Sequence, residues 1–189
     1  MAQHRNLTPG YAIVFPNREK ASSKLMKAIV ALILLASVGL LLIVTIGGWS
    51  QLEGMKPINF FWCAAYVVIA FYIWGRWARG MLPIAAGLAI LLLMIAAVAG
   101  LGLSGTSWFD RSHAGFAPAQ SLFGGKGLSA DTLGTITLLL IPVQVLLIVF
   151  AMRAFAQGWN VEQEVPIDEA RRRGYNPPDS SPPPQPATA

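Results

Sequence analysis

The fold of this chain is decided by residues 28–48, AIVALILLASVGLLLIVTIGG, a stretch without a charged side chain. Bilayer hydrocarbon is about 30 Å thick and a helix rises about 1.5 Å per residue, so roughly 20 apolar residues span it. The stretch has this length and follows the polar residues 1–27. Because no convincing small-x-small cleavage site precedes the next polar loop, the pattern indicates an uncleaved span rather than a signal peptide.

Three further apolar segments, at about 58–75, 82–103 and 133–152, repeat this pattern. The 189 residues are 54% hydrophobic and only 12% charged, whereas a soluble domain is about 25% charged. A soluble protein with a buried helical hairpin is the alternative, but the first and third segments are too long for it. The composition therefore predicts an all-α, polytopic membrane protein with a bundle of four transmembrane helices over 28–152.

The basic residues predict the orientation of the chain. Of 14 Lys and Arg residues, five precede the first span, two lie between the second and third, four follow the fourth, and only Lys56, Arg111 and Lys126 fall elsewhere. Since Lys and Arg concentrate on the cytoplasmic side, both termini are expected there, in a plasma membrane. The Ala- and Gly-rich spans suit a bacterial inner membrane. Topology explains the net charge of +5, so no nucleic-acid partner is expected.

Aromatic and basic side chains mark the ends of the first two spans. Trp49 ends the first, and Trp74, Arg76, Trp77 and Arg79 end the second. Tryptophan rings favour the membrane–water interface, and cytoplasmic arginines attract anionic lipid headgroups. We interpret these residues as membrane-interface anchors, with lipids as partners, in preference to a ligand-binding motif.

The segments outside the spans divide into four parts. Residues 1–27 form a basic cytoplasmic lead, whose apolar residues 11–15 are expected to lie on the membrane surface or dock on a partner. Residues 153–174 are expected to form a cytoplasmic helical extension, with a short helix over 166–174 that begins at proline and ends at glycine. The Pro-rich residues 175–189 are predicted to be disordered.

The outer loop, residues 104–132, contains the only cluster that suggests chemistry. Asp110 and His113, beside Arg111, form a speculative site: an acid–base pair or two metal ligands. No nucleophile and no third or fourth ligand accompanies them. A packed loop with a local Asp110–Arg111 charge balance is the simpler interpretation, and no metal or catalytic site is predicted.

The predicted spans contain no Asp, Glu, Lys, Arg or His. Proton relays and ion paths usually need charged residues within the membrane, so a proton-coupled transporter built from this chain alone is disfavoured. Haem held between helices usually needs axial histidines, and both His4 and His113 lie outside the spans. We therefore predict no cofactor.

Small and polar side chains instead predict helix–helix contacts. Ala96 and Gly100 form a small-x-x-x-small pair, and Gly134, Thr137 and Gln144 share one face of the fourth span. Small residues let helix backbones approach closely, and an amide hydrogen bond between helices in lipid is worth about 1 kcal/mol. Gln144 is accordingly expected to join helices, the alternative being a polar point on a permeation path.

These patterns favour a non-catalytic accessory, assembly or scaffold subunit of a larger membrane complex, such as an energy-transducing one, with other membrane subunits or a second copy as partners. One alternative is a small transporter or channel formed by oligomerisation, with the fourth span lining the path. Another is a membrane-embedded lipid-modifying enzyme that uses the outer-loop cluster. The aromatic side chains of the second span are also compatible with packing on lipid tails, on an apolar quinone-like ligand or on a neighbouring subunit.

Overall fold

The computed structural model of the chain describes residues 10–52, 54–101, 108–109 and 120–175. This part is mostly helical, and four of its helices are long and apolar enough to cross a membrane. In chain order the elements are β1 (Tyr11–Val14), α1 (Pro16–Glu19), α2 (Ala21–Gly47), a short 3-10 helix (Trp49–Gln51), α3 (Lys56–Arg76), α4 (Met81–Leu101), α5 (Ala130–Ala156), β2 (Gln163–Pro166) and α6 (Ile167–Arg172).

Local chemistry explains where the long helices start and stop. The Ser129 hydroxyl accepts a hydrogen bond from the Thr132 backbone N–H and caps α5, which satisfies a donor that the first turn cannot pair internally. Helix α3 ends at Arg76, the following residue Trp77 has a left-handed φ of 53°, and the chain turns there toward α4. Helix α2 begins at Ala21, about two turns before the predicted span, so Lys24 and Lys27 lie on the same helix as the apolar stretch.

The four long helices pack unequally. Helix α2 contacts α3 and α5, and α5 contacts α4, whereas the contact between α3 and α4 is slight. Leu34, Tyr66, Leu82 and Leu147 are fully buried in the shared apolar core. Helix α4 is therefore held in the bundle mainly by α5.

One part of the all-α prediction is wrong. Strands β1 and β2 form a two-stranded antiparallel sheet, with Tyr11 opposite Pro166 and Val14 opposite Gln163. Along β1, Ala12 and Val14 are buried, an alternation typical of a strand. Residues 11–15 therefore dock on another segment of their own chain, and the prediction missed it because the partner strand lies some 150 residues away.

Strands β1 and β2 with helices α1 and α6 form what we call the terminal cap. Ala12, Val14, Val165 and Ala170 build its small apolar core. The cap lies at the end of the molecule where α2 and α4 begin and where α3 and α5 end, because Arg18 of α1 bonds to Trp159, which contacts Trp77. The opposite end, where α2 and α4 end, is called the distal end. The expected extension 153–174 lies within the described residues, whereas the expected lead 1–27 and tail 175–189 extend outside them at 1–9 and 176–189.

Candidate functional site

A chain of hydrogen bonds joins three of the long helices in the interior. The Tyr66 hydroxyl on α3 donates to Gln144 Oε1 on α5 at 2.8 Å. The Gln144 amide nitrogen donates to Ser37 Oγ on α2 at 2.9 Å. The Ser37 hydroxyl in turn donates to the Ile33 carbonyl of its own helix at 2.9 Å. Tyr66, Gln144 and Ser37 are all fully buried. We call these three side chains the polar triad.

The triad satisfies its own hydrogen-bonding groups. A buried polar group without a partner costs about 1–3 kcal/mol, and in hydrocarbon no water replaces the lost partner. Both ends of the Gln144 amide are paired within the chain. The arrangement therefore holds α2, α3 and α5 together, and it exposes neither amide atom to a water-filled path.

Small residues let α4 and α5 approach at the predicted positions. A Cβ atom added to Gly100 would lie 2.6 Å from Leu138 Cδ2 on α5. Ala96 is only 1% exposed, and Gly134 is buried in α5. The Thr137 hydroxyl donates to the Leu133 carbonyl at 2.8 Å. Gly100 therefore contacts the neighbouring helix directly, whereas the Thr137 hydroxyl bonds within its own helix.

The expected anchors at the end of α3 contact the protein more than the sequence suggested. Trp77 meets the ring of Trp159 edge-on at 5.4 Å, and Trp159 is fully buried. The Lys27 ammonium lies 4.0 Å from the Trp77 ring centre and donates to the Trp74 carbonyl at 3.0 Å. The Trp74 side chain, in contrast, is 58% exposed. Trp77 thus connects α3 to the segment after α5.

The basic residues of this region have different surroundings. Arg76 is exposed. Arg79 is partly buried, and its Nε donates to the Phe155 carbonyl at 2.8 Å while the guanidinium lies over the Phe155 ring. Arg18 of α1 donates to the Trp159 carbonyl at 3.1 Å. Burial lowers the pKa of the Arg18 guanidinium from its usual value. The Arg18 contact fastens the terminal cap to the segment after α5, and the Arg79 contact joins the turn between α3 and α4 to the end of α5.

Trp49, the expected anchor at the distal end, contacts two neighbours. Its ring meets Phe60 edge-on at 6.3 Å, and the Lys56 ammonium lies 4.4 Å from the ring centre. The aromatic and cationic pair lies where α2 ends and α3 begins. Such a pair is typical of a membrane–water interface.

An apolar cavity of about 430 Å³ lies in the distal half of the molecule. Side chains from all four long helices line it, among them Val44, Asn59, Ala96 and Leu140. Phe109, which is buried, and Trp108 close part of its wall. It lies among four helices of which α3 and α4 contact each other only slightly.

The speculative outer-loop site cannot be placed, because Asp110, Arg111 and His113 lie outside the described residues. Among the residues that the structure describes, no three His, Cys, Asp or Glu side chains come close enough together to hold a metal ion.

Sequence reasoning missed several residues that this geometry brings together. Ser37 and Tyr66 were not recognised as partners of Gln144, although all three stand near the middle of their predicted spans. Matching polar side chains by depth in the membrane is the signal that would have found them. Arg18 and Trp159 were missed for a different reason, because their contact depends on the long-range pairing of β1 with β2.

No protein-family model, curated protein or solved structure matches this chain. The functional argument therefore rests on the chain's own residues.

Proposed function

We propose that this protein is a non-catalytic integral membrane protein that acts as an accessory, assembly or scaffold subunit of a larger membrane complex. In this proposal the four long helices form a transmembrane bundle in a bacterial inner membrane, with both termini in the cytoplasm. Its partners are other membrane subunits, and anionic lipid headgroups surround its basic end.

The observation that carries the proposal is the pairing of Gln144. A carrier or channel needs polar groups that face the transported species, and the segments predicted to span the membrane, 28–48, 58–75, 82–103 and 133–152, contain no charged residue. Gln144 is the carboxamide deepest in a predicted span, and both its oxygen and its nitrogen bond to neighbouring helices. A closed contact of this kind favours a structural role over a permeation path.

The terminal cap also supports the proposal. The cap is folded and attached to the helices through Trp159 and Arg18, yet its outer surface is charged. Asp168, Glu169, Arg171 and Arg172 are exposed on α6. A rigid, charged surface beside the membrane suits recognition of a partner subunit, because charge complementarity determines orientation and association rate.

A lipid-modifying enzyme remains the second candidate, and one observation favours it over a transporter. The apolar cavity is lined by Phe109, the residue directly before Asp110 in the sequence, and its apolar wall suits the chain of a lipid substrate. Replacing Asp110, Arg111 and His113 by alanine together tests this candidate. An unchanged membrane lipid composition excludes the enzyme. Accumulation of a precursor lipid would support the enzyme and contradict the accessory role.

The proposal is tested by purifying the tagged protein in mild detergent, followed by native electrophoresis and mass spectrometry. Stoichiometric co-migration with other membrane proteins is expected. A lone homo-oligomer would contradict the accessory role and favour a carrier or channel. Gln144→Leu then separates these cases, because a carrier loses flux whereas a scaffold loses only assembly.

The proposed orientation is tested with matched cysteine variants. Lys126 and Asp168 are both exposed and lie in the distal 120–128 segment and in the terminal cap, respectively. A membrane-impermeant thiol reagent added to intact cells should label Lys126→Cys and leave Asp168→Cys unlabelled. The native Cys63 is buried, so its labelling is low. The reverse pattern would place the termini outside.

A further inference from the structure

The apolar cavity has the position and the wall of a site for a lipid chain. It is bounded by the second halves of α2 and α4 and the first halves of α3 and α5. If the four helices cross the membrane, the cavity lies within one leaflet, beside the membrane–water interface at the distal end. Its volume of about 430 Å³ lies within the range of about 300–1,000 Å³ that is usual for small-molecule sites.

The wall of the cavity does not require a polar ligand. Most of its residues are aliphatic, and its two polar side chains already bond to the protein. The Asn59 amide nitrogen donates to Thr45 Oγ1 at 2.9 Å, and the Thr137 hydroxyl donates to the Leu133 carbonyl. Water is disfavoured in such a space, because a buried water needs two to four polar partners.

The cavity opens sideways, toward the lipid-facing surface. Met94 and Val98 of α4 belong to its lining and are also 59% and 56% exposed on the outside of the helices. They therefore place part of the cavity wall at the outer surface of α4. In a membrane this surface meets hydrocarbon, so an occupant enters from the bilayer.

We infer that the cavity binds one aliphatic chain of a membrane lipid. Acyl and isoprenoid chains share the required chemistry, a flexible saturated or branched hydrocarbon that fills an aliphatic space. Filling the cavity is favourable because an unfilled space in a core costs stability in proportion to its volume. The lipid site does not depend on the proposed accessory role. The co-purification experiment therefore does not test lipid binding, and the labelling experiment below does not test the accessory role.

The first test uses a phospholipid that carries a diazirine near the end of one acyl chain. The protein is reconstituted into vesicles of this lipid, irradiated and digested, and the labelled residues are identified by mass spectrometry. Leu91 and Leu92 are neighbours on α4, but Leu91 is 51% exposed, whereas Leu92 is 4% exposed and lines the cavity. Surrounding lipid labels Leu91 alone, and a chain inside the cavity also labels Leu92.

A matched pair of variants completes the test. Ala99 lines the cavity and Ala97 does not, and both are partly exposed on α4. Ala99→Phe should abolish labelling of Leu92, whereas Ala97→Phe should leave it unchanged. Native mass spectrometry of the purified protein should show one retained lipid in wild type and Ala97→Phe and none in Ala99→Phe, and its mass distinguishes acyl from isoprenoid lipid.

Three results would overturn the inference. They are labelling of Leu91 without Leu92 in the wild type, equal labelling of Leu92 in both variants, and retention of no lipid in the wild type. If Ala99→Phe fails to fold, the Leu91 and Leu92 comparison in the wild type decides alone.

Discussion

Replacing Gln144 by leucine tests whether the polar triad stabilises the fold. The change removes the acceptor of the Tyr66 hydroxyl and the donor to Ser37. Each hydrogen bond between helices in lipid is worth about 1 kcal/mol. Ser37 keeps its own bond to Ile33, whereas Tyr66 loses its acceptor. We expect Gln144→Leu to lower the free energy of unfolding by about 2 kcal/mol, within the range for an unpaired buried group.

A double-mutant cycle with Tyr66→Phe isolates this pair. Tyr66→Phe alone should cost about 1 kcal/mol, because Gln144 keeps its bond to Ser37. In the Gln144→Leu background the same change should cost nothing, since it removes the hydroxyl that has no partner. The predicted coupling is therefore about 1 kcal/mol, within the usual range for residues in contact.

The assay is unfolding in mixed detergent–SDS micelles, followed by far-ultraviolet circular dichroism. Val145→Leu is the control, because Val145 is the next residue on α5 and is 45% exposed on the outer face. It should change the stability by less than about 0.5 kcal/mol. Strictly additive costs for Gln144→Leu and Tyr66→Phe, or a more stable Gln144→Leu variant, would refute the reasoning.

Three further predictions concern other contacts. Gly100→Ala should destabilise the protein by about 1–3 kcal/mol through overpacking, while Gly87→Ala, where a new Cβ meets nothing within 4 Å, should be neutral or stabilising in the same assay. Trp159→Ala should cost the terminal cap about 3–5 kcal/mol and speed limited proteolysis there, whereas Trp74→Ala, at an exposed ring, should not. Burial raises the pKa of the Tyr175 hydroxyl. The neutral hydroxyl therefore stabilises the folded state below the unfolded pKa of about 10, and this stabilisation is lost as pH rises through the folded pKa. Tyr175→Phe should remove this alkaline loss, measured by tryptophan fluorescence.

The long helices could be predicted because their signal is local and strong. An uncharged stretch such as residues 28–48 has one stable state in hydrocarbon, where every backbone group must be bonded internally. Gly100 could also be proposed as a contact, because small residues at helical spacing have few other uses. The sequence could not reveal which helices would be neighbours, and so it did not predict that α3 and α4 would contact each other only slightly.

The terminal cap could not be predicted, for a reason specific to its residues. Tyr11–Val14 is a four-residue apolar stretch, and such a short stretch fits a strand, a surface segment or a docking motif equally well. Only the partner, Gln163–Pro166, decides between them. Trp77 likewise matches an interface anchor by position, and its contact with Trp159 depends on where the chain goes after α5.

The pairing of β1 with β2 has a consequence for the order of events during biosynthesis. The ribosome produces β1 before all four long helices and β2 after them, so β1 waits with an unpaired edge throughout membrane insertion. An exposed strand edge readily pairs with other chains. A chain that stalls before α5 is released leaves this edge open, and a chain that completes insertion closes it. The cap thereby distinguishes finished from unfinished molecules, and a quality-control protease that recognises unpaired terminal segments would remove only the latter.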